Sequence, residues 1–335
     1  MTNEAKCGSA MQGGDTAPKV SVIVPCYNVE KFVQTCLESL KKQTLHEIEF
    51  IVVNDGSTDK TSEIIQAVTA DDDRFVVLNK KNSGYGDSVN RGMALATGNY
   101  IGIIESDDWV EPEMFEILYE NAEKYNLDIS RTSFFIYENG ADHPTKGDFI
   151  PCETVTRALT NKRIFRQPPA VWSAIYRRAW LRESGIQFRP TPGASFQDIS
   201  FSFKTNLMCQ RFYCTKKRLM HYRIHGGNSV RSSKAVMAPM EEYAECFCYA
   251  KKMGLLEKVK NVLPVLEYAS YKWNYLRVDE DNAHKFFEAW RKEWQELTSQ
   301  GVSFFSESFK VGLYAWMVRR MPDYFEQHYL AKKRH

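Results

Sequence analysis

Three carboxylates crowd into four residues at Glu105-Ser106-Asp107-Asp108, directly after the apolar run Tyr100-Ile101-Gly102-Ile103-Ile104. Carboxylates this close repel one another unless a cation or hydrogen bonds offset their charge. Hard oxygen ligands of this kind suit Mg2+ or Mn2+, ions that themselves bind diphosphates. An acidic turn capping a helix over 112–125 is the simpler alternative. Asp55 ends a second apolar run, at Asn54-Asp55-Gly56-Ser57-Thr58-Asp59. Gly56 to Asp59 read as a turn and a helix cap, but an acid in a cleft at a strand end suits a base N–H or a ribose hydroxyl. Asn82-Ser83-Gly84-Tyr85-Gly86 precedes a helix start. Glycines there let backbone approach a ligand, and a helix N-terminus favours phosphate. The spacing is not that of a dinucleotide fingerprint, because the next glycine is Gly92.

These residues need a frame that brings them to one place. Val20-Ser21-Val22-Ile23-Val24 reads as a buried strand, as do residues 48–53, 75–78 and 100–104. Helical patterns over 30–42, 58–68, 88–96 and 112–125 alternate with them. Such alternation predicts an α/β fold with a parallel sheet and right-handed crossovers. Ligands of such sheets bind at the carboxyl ends of the strands, and Asn28, Asp55, Asn82 and the Glu105 cluster all sit there. After residue 126 the alternation weakens, with strands expected at 128–137 and 211–214 and a helix near 198–208. From about 238 the pattern is helical, over 238–254, 256–277, 281–298 and 303–320.

The ordered set Val22-Ile23-Val24-Pro25-Cys26-Tyr27-Asn28, Asn54-Asp55-Gly56-Ser57-Thr58-Asp59, Asn82-Ser83-Gly84 with Asn90-Arg91-Gly92, and Glu105-Ser106-Asp107-Asp108 closely resembles family 2 glycosyltransferases of the GT-A fold. The resemblance runs over 18–125 and continues weakly to about 230. It implies a Rossmann-like, mostly parallel sheet flanked by helices, and an inverting transfer from a nucleotide-diphospho-sugar, commonly a UDP-sugar. The expected division is a disordered leader at 1–17 and a catalytic domain over 18–235. Within that domain 18–125 is the nucleotide-sugar half and 126–235 the acceptor half, and a helical region follows over 236–335.

By the same resemblance Pro25, Tyr27 and Asn28 lie at the base and ribose, and Asp55 hydrogen-bonds the uracil. Asn82, Gly84 and Asn90 shape the nucleotide pocket, Glu105 and Ser106 face the donor, and Asp107 is the metal-binding acid of the DxD motif. Phe196-Gln197-Asp198-Ile199-Ser200-Phe201 resembles the segment that carries the catalytic base, which is then Asp198. In His221-Tyr222-Arg223-Ile224-His225-Gly226-Gly227-Asn228-Ser229, His225 corresponds to a metal or diphosphate ligand and Ser229 to a residue near the phosphates. Trp172 resembles an acceptor-site aromatic, with core packing an equal alternative, and Asp108 is a second acceptor candidate. Four positions depart from the pattern: Glu105 for the first Asp of DxD, Asn54 for a common Asp, Gln197 for Glu, and Val89 where many members carry Arg. Lys80, Lys81 or Arg91 are candidates to replace that arginine.

The composition bounds the rest. Net charge is +2, but residues 161–235 hold 15 Lys and Arg against only Glu183 and Asp198, which suits an anionic partner such as a nucleotide or a lipid headgroup. Asp198 therefore stands out even without the resemblance. Eight cysteines contain no CxxC pair and no zinc-like spacing. With no signal-like apolar segment near the start and no run long enough to span a bilayer, the expectation is a cytoplasmic protein with reduced thiols, with peripheral attachment at the inner face of the membrane as a further option. The apolar-aromatic stretch Phe309 to Arg320 and the following Lys332-Lys333-Arg334 make 303–335 the candidate for such a contact; a helix packed on the catalytic domain, or a dimer contact, is the simpler reading of the same residues. The composite expectation is a Mn2+- or Mg2+-assisted transfer from a UDP-sugar to a glycan or lipid-linked acceptor, in bacterial cell-surface polysaccharide or glycoconjugate assembly, with no nucleic-acid partner. A sugar nucleotidyltransferase combines similar parts but usually opens with a basic Gly-rich loop, where this chain has Pro25-Cys26-Tyr27-Asn28. A sugar-nucleotide binder without transferase activity is the rival from another class.

Overall fold

The computed structural model describes residues 17–145, 152–194, 196–225 and 235–333. All but residue 17 of the expected leader, and Ser229, lie outside them. The strands are β1 (Val20–Cys26), β2 (Ile48–Asn54), β3 (Phe75–Asn79), β4 (Tyr100–Ile103), β5 (Trp109–Val110), β6 (Ile129–Glu138), β7 (Ala141–Pro144), β8 (Ala174–Arg177) and β9 (Phe212–Arg223). The first six helices are α1 (Val33–Lys41), α2 (Thr61–Thr69), α3 (Tyr85–Leu95), α4 (Met114–Lys124), α5 (Arg178–Glu183) and α6 (Gln197–Met208). The strands form one sheet in the order β3-β2-β1-β4-β8-β6-β9-β5, with β7 beside β6.

The β3-β2-β1-β4 half is parallel. Val20, Val22, Ile23 and Val24 are fully buried, because helices cover both faces of such strands. The register decides where the site lies. Cys26 pairs with Asn54, and Asn54 with Asn79, so three strands end in line and their following loops leave from one edge. Ile104 continues beside Ile23, its N–H donating to the Ile23 carbonyl at 2.9 Å, and delivers Glu105 to the same edge.

Beyond β4 the sheet becomes mixed. β8 runs antiparallel to β4 and β6, β9 is parallel to β6 with register shifts near Thr132 and Ser133, and the two-residue β5 pairs antiparallel to β9. The sequence pattern missed β5, β7 and β8, which have only two to four residues and no room to show a period of two. It placed the end of β9 at 214, but pairing with β6 and β5 carries the strand on to Arg223.

The C-terminal region is helical as expected: α7 (Ala238–Lys252), α8 (Leu256–Val259), α9 (Leu263–Arg277), α10 (Glu280–Ser299), α11 (Phe309–Arg320) and α12 (Pro322–Phe325). The expected helix over 256–277 is broken in two. Pro264 lacks an N–H and fits only the first turn of a new helix. The last long helix starts at 309 rather than 303, where the Ser308 hydroxyl accepts from Val311 N–H at 3.3 Å. Trp290, Trp294, Phe286, Phe287 and Phe325 are fully buried between these helices and belong to the same hydrophobic core as the sheet.

Candidate active site

The aligned strand ends enclose a cavity of about 1120 Å3. Pro25, Tyr27 and Asn28 come from the end of β1, Asp55 from β2, Asn82 and Gly84 from the loop after β3, and Glu105, Ser106 and Asp107 from β4. His225 closes one side, and Pro192, Gly193 and Ala194 close another. Sequence reasoning thus brought nine loop residues and a histidine to one cavity.

Asp55 is 2% exposed and organises the loop after β3. It accepts from Ser83 N–H and Gly84 N–H, both at 2.9 Å, and pairs with the Lys80 ammonium. Lys80 also pairs with Asp87 at 2.9 Å, and Arg91 with Asp87 at 2.9 Å. Lys80 is therefore the cation that grips this loop, while Val89 is fully buried. Asn28 is similarly engaged: its side-chain Oδ1 accepts from Thr58 N–H at 2.8 Å and its backbone N–H donates to Ser57 Oγ at 3.1 Å. Its φ of 52° is tolerated because Asn is among the few residues that enter the left-handed region.

Gly84, before α3, and Gly86, in its first turn, also allow a close approach of distant backbone. A Cβ on Gly84 (φ 98°) would lie 2.5 Å from the Thr191 carbonyl oxygen, and one on Gly86 2.1 Å from that of Arg189. They admit the backbone of the 189–193 segment, whose Pro192 and Gly193 line the cavity together with Gly84. The helix N-terminus is spent in the same way, since Tyr85 N–H donates to the Gly193 carbonyl at 2.9 Å. Gly86→Ala should therefore cost about 1–3 kcal/mol of stability, because the obstructing atom is backbone and cannot swing aside. A urea midpoint equal to that of the parent would contradict this packing.

The acid cluster divides by environment. Tyr85 Oη donates to Glu105 at 2.6 Å, a partner that sequence reading missed because a tyrosine in the first turn of a helix looks like packing. Burial pushes Glu105 up to about 8; the Tyr85 hydroxyl opposes this, and the charges of Asp107 and Asp198 add to it. Burial therefore favours the protonated form of Glu105. Asp107 meets His225 Nε2 at 2.9 Å, and the imidazole packs on Phe32 with ring centroids 4.3 Å apart. The β9–β5 pairing carries His225 there. Asp108 turns away: it is 1% exposed, accepts from Arg223 N–H at 2.7 Å, and is held well above the usual carboxylate range by burial and then by Asp107. It ties β9 to β4 and does not line the cavity.

Three more sequence candidates stand apart from the cavity wall. Asn90 exchanges two hydrogen bonds with the Phe188 backbone, at 2.9 and 3.0 Å, and anchors the chain just ahead of the 189–193 segment. Trp172 is 9% exposed, stacked on Tyr222 at 5.2 Å and met edge-on by Phe134 at 4.6 Å; its rings are packed rather than offered to a sugar. Asp198 lies in the first turn of α6, four residues after Ala194. It is not among the cavity's described lining, but its charge reaches both Glu105 and Tyr85. Burial pushes Asp198 up to about 7, with the Glu242 charge adding and backbone N–H groups opposing. Such a carboxyl can exchange a proton near neutral pH.

Known proteins share this framework. Residues 21–187 match the family model described as Glycosyl transferase family 2. EpsH of Bacillus subtilis is 34% identical over 215 residues, covering 62% of this chain. The uncharacterized glycosyltransferase YibD of Escherichia coli is 29% identical over 314 residues, covering 90% of this chain and 87% of YibD. The chain spans 61% of the length of EpsH and 51% of that of its B. subtilis companion EpsJ. The crystal structure of S. aureus TarS 1-349 in complex with UDP superposes with a TM-score of 0.65 at 22% identity, over 92% of this chain and 91% of that one. The shared architecture is that of the curled α/β sheet and its helices.

Proposed function

The chain belongs to glycosyl transferase family 2, and on that premise we propose that it moves a sugar from a UDP-sugar to a hydroxyl of a glycan or lipid-linked acceptor, with inversion, in the assembly of a bacterial cell-surface polysaccharide or glycoconjugate. The observation that carries this reading is the convergence of Asp55, Glu105, Asp107 and His225 on one cavity, with Asp198 beside it. Support comes from TarS, which shares the fold and was crystallised with UDP and with UDP-GlcNAc.

In this reading the rim of Pro25, Tyr27 and Asn28 takes the base and ribose, and Asp55 keeps the floor of the nucleotide pocket in shape. Asp107 offers a carboxylate oxygen and His225 a ring nitrogen 2.9 Å away, a mixed donor pair that fits Mn2+ and tolerates Mg2+. Among the described residues no group of three His, Cys, Asp or Glu side chains is placed to hold a metal, which leaves further positions to diphosphate and water. Asp107 and His225 would hold a divalent ion whose charge offsets that of the departing diphosphate. Glu105, held by the Tyr85 hydroxyl on the cavity wall, is placed to hydrogen-bond the donor. Asp198 takes the proton of the attacking acceptor hydroxyl.

A second reading, a sugar-nucleotide binder without transfer, gains from Asp198 being set back from the cavity wall. Incubating the chain with UDP-GlcNAc, UDP-Glc or UDP-Gal and Mn2+, without acceptor, separates the two. Slow UDP release above the metal-only background is the expected result. Saturable UDP binding with no release from any of the three supports the binder, and no UDP binding at all ends both.

A further inference from the structure

The C-terminal helices present a face that the transfer reaction does not use. On α11, Phe309 is 76% exposed, Leu313 42% and Trp316 44%, and Phe305 just ahead is 47% exposed. Positions 309, 313, 316 and 320 fall on one side of the helix. The opposite side, Val311, Ala315 and Val318, is buried against the helical core. The stripe is therefore left over after α11 has packed, and isolated exposed apolar residues would not line up this way.

Cations border the stripe. Arg320 lies at its end and Lys310 on its flank. Lys272 of α9 feels the charge of Lys310 on one hand and, on the other, lies side by side with Lys333 of the last turn at hydrogen-bonding range. Burial and then these two neighbours hold the Lys272 ammonium below its ordinary range. Among the described residues no acid pairs with Lys272, Lys310, Arg320 or Lys333. Ammonium groups gathered without a counter-charge favour an anion between or above them.

We propose that α11 and its lysine rim form a docking surface for an anionic bilayer, with Phe309, Leu313 and Trp316 seated among the acyl chains and Lys310, Lys333 and Arg320 at the headgroups. A second copy of the chain fits poorly, since a two-fold contact through this stripe sets the cations of one copy against those of the other. An acidic protein or a nucleic acid would satisfy the charges but leave the apolar stripe in water. Docking here is independent of the transfer chemistry; a lipid-linked acceptor would simply be met at the same surface.

Flotation of the full chain with extruded vesicles tests this. The chain should float with phosphatidylcholine vesicles containing phosphatidylglycerol, stay down with phosphatidylcholine alone, and be released by salt. Lys310→Ala and Lys333→Ala should each weaken partitioning about fivefold. Phe309→Ser combined with Trp316→Ser should abolish flotation and leave acceptor-free UDP release unchanged, with only a small downward shift of the thermal unfolding curve, because Phe309 is mostly exposed and Trp316 nearly half exposed. The proposal is overturned if the parent chain stays down with phosphatidylglycerol vesicles or if the double serine variant floats equally well. A parent dimer in gel filtration that the double variant turns into a monomer overturns it too, and assigns the face to a subunit contact.

Discussion

Asp198→Asn is expected to keep UDP-sugar affinity and to lose about 10²–10⁴ in transfer rate, the usual cost of removing a general base. The amide occupies the same volume in the first turn of α6 but cannot accept the acceptor's proton. Because burial pushes Asp198 up to about 7, kcat/KM of the parent should fall tenfold per pH unit below that value, and the variant should lose this limb. Stability should move the other way. A carboxyl whose folded pKa is raised helps the fold most below its unfolded value near 3.8 and loses that help as pH rises through about 7. The asparagine variant should therefore melt above the parent at pH 8, with the gap closing towards pH 4. Parent-like turnover at pH 8 would remove Asp198 from the reaction, whatever the melting curves showed.

Asp107→Ala is expected to abolish the metal dependence of UDP binding. Loss of a partner that merely hydrogen-bonds a ligand costs 10–100-fold in metal affinity, so loss of a ligand should exceed about 100-fold. Calorimetry should show UDP binding with the same weak affinity in Mn2+ and in EDTA, whereas the parent should bind far more tightly in Mn2+. His225→Ala should weaken the metal effect less, since a water can take one imidazole's position while the carboxylate charge remains. An Asp107→Ala variant with full Mn2+-dependent affinity would sever the acid cluster from the metal.

Much of this site was legible before any coordinates. A β-branched run followed by polar residues is a strand and its exit loop, and parallel strands can be covered on both faces only if their loops gather at the edges. Asp55, Glu105 and Asp107 therefore had to share an edge once residues 18–125 alternated as they do. The charge pattern likewise singled out Asp198 as one of two acids in a basic segment. What stayed hidden depends on contacts between segments far apart in the chain. Tyr85 meets Glu105 only because α3 begins three residues before its apolar pattern does, held by Gly193. The glycines at 84 and 86 looked like ligand contacts, and the carbonyls they also admit lie more than a hundred residues on.

The sequence by itself thus determined the parallel half of the sheet, its exit loops and the chemical kind of each loop residue, because these follow from local periodicity and from side-chain chemistry. Tertiary structure alone decided the rest. Pairing of the two-residue β5 with β9 brought His225 to Asp107 and turned Asp108 inward, and packing of Trp172 on Tyr222 removed a sugar platform. Burial moved Glu105 and Asp198 towards neutral pH. Each of these rests on which distant surfaces exclude water from a side chain, and no local pattern encodes that.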